Sequence, residues 1–237
     1  MLRALDPLLA IALGPARDGD AAFMESFEHM LRGRPDGPLL LAAWASVSSG
    51  EVPHATLRRM LKLMPAPAPP RPAHRGELLA WLHPRASLFA RCTLALAQRD
   101  EDQALAPAER LACGLVLTRL LCDLPANLAQ GRHYLPLSDM EEAGITEQEL
   151  AGGVRTAEVD RFLAAECTWA RSMLDQGLPV CDRVGARLSR GLRAAILRAR
   201  LLLDQVEDPR RDLFRRRPRL KPTERWGCAI RAWRPIA

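Results

Sequence analysis

In the stretch LLCDLPANLAQGRHYLP, Leu120 to Pro136, a single acid, Asp123, is followed four residues later by an amide, Asn127, and then by Arg132 and Tyr134. Positions i and i+4 of a helix share a face, so a helix running through Asp123 and Asn127 would present both side chains together. A hard divalent cation such as Mg2+ takes oxygen ligands, usually one or two carboxylates with waters and phosphate oxygens. Two acids at this spacing would grip such an ion. With one acid and one amide, Asp123 reads as a metal ligand or as a polar residue at a helix end, and for Asn127 the structural role is the stronger reading. Arginine suits phosphate through its planar fork. Arg132 and Tyr134, the only tyrosine, are therefore either ligand contacts or a loop in which one pairs with an acid and the other packs.

Other reactive side chains form no second constellation. Cys92, Cys113, Cys122, Cys167, Cys181 and Cys228 include no CxxC pair and lie in apolar patterns, as buried reduced thiols do. The five histidines, His83 and His133 among them, lack metal-ligand spacing. Asp204, Glu207 and Asp208 share a helix face, but they precede a proline and sit beside arginines, which fits a solvated helix end.

The elements that must position these residues are helical. The chain has 237 residues, 48% hydrophobic, with few aromatics and abundant Ala, Leu and Arg, a balance that favours helix over strand. The expected class is all-α. A first apolar segment is interrupted by Asp6 and Pro7, and AAFMESFEHML follows with Phe23, Phe27, Met30 and Leu31 at helical spacing. Helices are expected over Leu39–Val47 and around ATLRRMLKLM. Five prolines between Pro65 and Pro72 then make an extended connector within one domain. A helix starting near Glu77 is expected to kink or break at Pro84, and a central helix, apolar on almost all sides, to run from Pro107 to about Leu128. Beyond a loop with short helices, two long amphipathic helices are predicted at Val159–Gln176 and Val180–Val206.

No apolar run approaches the length of a membrane span, which predicts a cytoplasmic protein. The net charge is +6, and between Pro209 and Lys221 seven basic residues stand against one acid, Asp212, with Trp226 and Trp233 close behind. Such a segment is a solvated face, or a contact with the anionic inner face of a membrane or with an acidic protein. Nucleic acid is not expected, because no nucleic-acid motif accompanies the basic run.

The spacing Asp-x-x-x-Asp, then Gly-Arg-x-Tyr-Leu-Pro, here Asp123, Asn127, Gly131, Arg132, Tyr134, Leu135 and Pro136, resembles a signature of the squalene and phytoene synthase family. GPLLLAAWASVSSGEVPHATLRRMLKLM resembles the helix, turn and helix that precede the family's central region. LLAWLHPRASLF resembles its Tyr-x-Tyr-x-x-Ala-Gly helix, with Trp81, His83 and Ala86 in register. The resemblance covers roughly Gly37 to Trp226. It implies an isoprenoid-synthase-like antiparallel helical bundle around a central cavity, spanning 1–237 as one domain with a shortened region 1–36 and a basic segment 209–237. It implies Mg2+ held between two acidic motifs against prenyl diphosphates. Carried over residue by residue, it assigns Asp123 and Asn127 to the metal, and Thr118, Arg132 and Tyr134 to the diphosphate or prenyl chain.

The sequence departs from the pattern at the chemistry. No first acidic motif precedes the proline-rich run, where Glu25 and Glu28 are the only acids of AAFMESFEHML. The second motif has Asn127 for its far acid, Pro125 inside it, and Val116, Arg119 and Cys122 where the family has Gln, Asn and Arg; Thr118 remains. The expected protein is a degenerate relative with a prenyl- or lipid-binding or assembly role, of the kind the family includes in a respiratory complex I assembly factor. The alternatives are an active head-to-head prenyltransferase using Mg2+, and an arginine-rich adaptor on an anionic membrane or acidic partner.

Overall fold

The structure is a computed structural model that describes residues 20–50, 52–63, 71–97 and 101–236. The first apolar segment and the proline-rich connector up to Pro70 lie outside the described residues. Within them every regular element is helical and no strand occurs. The helices are α1 (Asp20–Leu31), α2 (Gly37–Ser48), α3 (His54–Leu63), α4 (Arg75–Leu96), α5 (Glu101–Cys122), α6 (Leu124–Ala129), α7 (Leu137–Ala143), α8 (Glu147–Ala151), α9 (Ala157–Gly177), α10 (Val180–Arg183), α11 (Ala186–Glu207) and α12 (Pro222–Arg231).

Helix α5 is central, packing against α4, α9 and α11. Its apolar circumference requires this, because each flank must be buried by a neighbour. At the crossing with α9 the two backbones nearly touch, since a Cβ added to Gly177 would stand 2.5 Å from Leu111 Cβ. Any side chain at Gly177 would push the helices apart. Buried side chains from Phe27 through Leu213 form one contiguous core on both sides of the proline-rich run.

Three boundaries differ from expectation. Helix α4 continues through Pro84. Proline supplies no backbone donor to the Ala80 carbonyl there, and the helix runs on regardless; one position on, the Arg85 side chain donates to the Trp81 carbonyl at 2.7 Å and its guanidinium lies over the Trp81 ring. The central helix begins earlier than Pro107 and stops at Cys122 rather than Leu128. Pro125 lacks the N–H that would bond Leu121, so the chain turns at Asp123 and restarts as α6 with proline in its first turn. The last long helix divides at Val184, whose extended backbone separates α10 from α11.

The basic run is a folded strap rather than a tail. Arg155 donates to the carbonyls of Glu207, Asp208 and Arg211 at 2.9–3.3 Å and pairs with Asp160 at 2.6 Å. The Arg219 amide donates to the Gln205 side chain at 3.1 Å. Leu213 is buried beneath. Helix α12, not anticipated from sequence, then packs Cys228 and Ala232 on Ala194 and Leu197 of α11.

Candidate functional site

Two cavities lie on opposite flanks of α5. The larger, about 510 Å³, is a cleft between α4, α5, α11 and the strap. Ala86, Phe89, Leu115, Val116 and Leu202 supply its apolar wall, and Arg119, Arg198, Arg217 and Arg225 line it as well. Its volume falls in the usual range of small-ligand sites, about 300–1,000 Å³. Thr118 also lines it; the hydroxyl donates to the Gly114 carbonyl at 2.8 Å.

Asp123 is 2% exposed and meets the arginines of this cleft. Arg217 from the strap forks onto it, Nε to Oδ1 at 2.5 Å and Nη2 to Oδ2 at 2.9 Å, while Arg119 Nε stands 3.6 Å from Oδ2. This is the geometry in which guanidinium binds carboxylate most strongly. Arg198 and Arg225 have no ion pair among the described residues. The cleft therefore presents four guanidinium groups against one carboxylate. Burial, and second the Asp123 charge, push the neighbouring Cys122 thiol up to about 12, so it stays neutral.

The smaller cavity, about 10 Å³, lies on the other flank among Leu117, Leu121, Asn127, Tyr134, Glu166 and Trp169. Asn127 is buried, and neither its Nδ2 nor its Oδ1 has a hydrogen-bond partner. The Tyr134 ring packs on Trp81 with centroids 5.6 Å apart, and Arg132 hydrogen-bonds the Tyr134 side chain. Gly131 turns the chain into this block at φ +67, a conformation that favours glycine. Glu166 accepts from Arg75 at 3.0 Å, and Arg75 also pairs with Asp139 at 2.6 Å and lies over the Trp169 ring. Burial, with a hydrogen bond to Asp139, pushes the Glu166 carboxyl up to about 7 against the pull of Arg75.

The residues singled out in sequence are thus divided. Thr118 lines the cleft and Asp123 pairs with two of its arginines, whereas Asn127 and Tyr134 face the inner cavity, with Arg132 bonded to Tyr134. The turn at Asp123 separates the acid from the amide. Glu25 and Glu28 of α1 open on a different cleft with Arg32, Arg58 and Lys62. Among the described residues no group of three His, Cys, Asp or Glu side chains gathers as a metal site. The donor set at Asp123 does not fit Mg2+: its one carboxylate is already neutralised by a guanidinium fork. Sequence reasoning missed Arg198, Arg217, Arg225 and Glu166, which lie far from the motif in the chain.

The family model for squalene/phytoene synthase matches residues 14–225. The chain belongs to that family. A 15-cis-phytoene synthase of Synechococcus elongatus is 30% identical over 128 residues, 52% of this chain and 40% of that protein. A phytoene synthase 2 of Zea mays is 29% identical over 99 residues, 41% of this chain and 25% of that protein. The matches span less than half the length of these curated relatives. Among solved structures, a dehydrosqualene synthase in complex with ligand aligns with TM-score 0.77 at 16% identity, covering 98% of this chain and 84% of that one. A squalene synthase of Alicyclobacillus acidocaldarius aligns with TM-score 0.66 at 21% identity, covering 86% and 78%. The fold is the isoprenoid synthase fold. Members of the family are prenyltransferases that use divalent metal ions and bind prenyl diphosphates. No described helix is long and apolar enough to cross a membrane.

Proposed function

We propose that this chain binds an isoprenoid lipid with an anionic head, a prenyl diphosphate being the simplest, and has lost the condensation of two such molecules. The carrying observation is the Arg217 fork on Asp123 at the edge of an apolar cleft lined by three further arginines. Head-to-head condensation needs a diphosphate to leave, and stabilising that developing charge is commonly the largest catalytic requirement. Arginines bind the ground-state diphosphate well, by bidentate hydrogen bonds. A carboxylate that is itself neutralised by arginine offers no metal bridge to help the group depart.

In this reading the apolar wall takes the prenyl chain, and Arg198 and Arg225 meet the head, with Thr118 beside them. Arg132 and Tyr134 serve the same site indirectly, by fixing the turn that delivers Asp123. The binding or assembly role follows from an occupied cleft without turnover. The test is incubation of the protein with Mg2+ and farnesyl or geranylgeranyl diphosphate. No C30 or C40 product is expected; a product that disappears in Asp123→Ala would establish the active prenyltransferase instead.

A further inference from the structure

Helix α12 turns an apolar stripe away from the core it packs on. Its buried side is Cys228 and Ala232. On its solvent side Trp226, Ile230 and, one turn on, Trp233 are 72%, 68% and 71% exposed. Three large apolar side chains at i, i+4 and i+7 make one continuous stripe, a patch of the kind that marks an interaction surface. A helix needing only to cover α11 would carry polar residues there.

The charge around the stripe identifies what it meets. Residues 209–237 hold ten basic side chains and two acids, a net +8, so the rest of this +6 chain is at −2. Arg225, Arg231 and Arg234 are exposed beside the stripe, and the Arg190 guanidinium lies 4.0 Å over the Trp233 ring. The acid on the helix, Glu224, accepts from the Lys221 amide as an N-terminal cap. Tryptophan settles at the boundary between hydrocarbon and headgroups, and arginine around it meets lipid phosphates. An acidic protein face would satisfy the arginines but leave two indoles and an isoleucine to find an apolar partner of their own.

We infer that α12 docks this protein on an anionic lipid surface, with Trp226, Ile230 and Trp233 entering the interface and Arg231 and Arg234 held at the phosphates. Arg225 lines the cleft, so the cleft and the docking stripe share one helix. The docking itself does not depend on what the cleft holds.

Vesicle sedimentation tests this with the full chain, using phosphatidylcholine alone and phosphatidylcholine mixed with phosphatidylglycerol. Binding to the mixed vesicles only, weakening as salt rises, is expected. Trp226→Ser, Ile230→Ser and Trp233→Ser together should lose on the order of tenfold or more, with an unchanged circular dichroism spectrum because all three are exposed. Arg231→Gln with Arg234→Gln should lose a comparable factor at low salt, at ~1 kcal/mol per basic residue near the surface. Brominated acyl chains should quench tryptophan emission in the wild type and not in the triple-serine variant. Absence of sedimentation, equal binding to both vesicles, or an unaffected triple variant overturns the inference. So does a wild-type dimer that the triple variant converts to monomer, which would assign the stripe to a second copy of the chain.

Discussion

On one flank of α5 the buried acid Asp123 is met by a two-pronged guanidinium from a segment 94 residues away; on the other the buried amide of Asn127, four residues later, meets no partner at all. Both side chains are almost fully enclosed, at 2% and 1% exposure. The difference lies in what packs over each flank. The strap brings Arg217 to the cleft, and α4 and α9 bring Leu78, Glu166 and Trp169 to the inner cavity. A buried charge must be paired, because its unpaired desolvation is prohibitive, whereas an unpaired amide costs only about 1–3 kcal/mol and can be tolerated. In a metal-binding arrangement the two residues would work as one unit. Here each has been absorbed by its own surroundings.

The first way to break this comparison is to strip the cleft side of its pairing. Arg217→Ala takes the two-pronged partner from the buried Asp123 and leaves Arg119 Nε at 3.6 Å. Removing one partner of a buried pair costs about 3–5 kcal/mol, and the partial exposure of Arg217 places the expected loss near ~3 kcal/mol. Urea denaturation should show that loss, and Asp123→Leu combined with Arg217→Met should recover much of it. A single variant as stable as the wild type would mean that the fork does not hold the strap.

The inner flank is sharpened by pH. The carboxyl of Glu166 moves from 4.5 to about 7 on folding, so the folded state retains a proton that the unfolded state gives up. The resulting penalty is absent below pH 4.5, grows as pH rises to 7 and is constant above, at most about 3 kcal/mol. Glu166→Gln should flatten that slope and raise stability at pH 8 relative to the wild type. A slope unchanged by the substitution would place the titration elsewhere.

The helical class, the long helix Ala157–Gly177, the greater part of the next one and the Gly131–Pro136 block were legible in sequence because each rests on local signals: hydrophobic period, cap residues and a motif of contiguous residues. At Pro84 the helix does not break, since proline removes a single backbone bond and the packed turns on either side hold. Pro125 was the better guide; its missing donor ends α5 at Cys122, and the shared face expected for Asp123 and Asn127 is lost with it. The Arg217 pairing was beyond sequence reading altogether. Seven basic residues crowd one run, and nothing local distinguishes the one that reaches back to Asp123 from those that face water. Glu166 was hidden for the same reason, as an acid in a helix whose burial depends on α7 and α4 closing over it.

The smallest expected effect belongs to Asn127. Asn127→Leu removes an amide without partners and should stabilise the fold by about 1 kcal/mol. A loss of stability instead would show that the amide is satisfied in solution, and the contrast between the two flanks would fall.

The measurement closest to the central claim is calorimetric titration of farnesyl diphosphate into the protein, first with a chelator and then with excess Mg2+. If arginines hold the anionic head, binding is saturable in chelator, changes little on adding Mg2+, and drops at least tenfold in Arg198→Gln with Arg225→Gln, while Asp123→Asn leaves it metal-independent. Binding that appears only with Mg2+ and is abolished by Asp123→Asn would contradict the account.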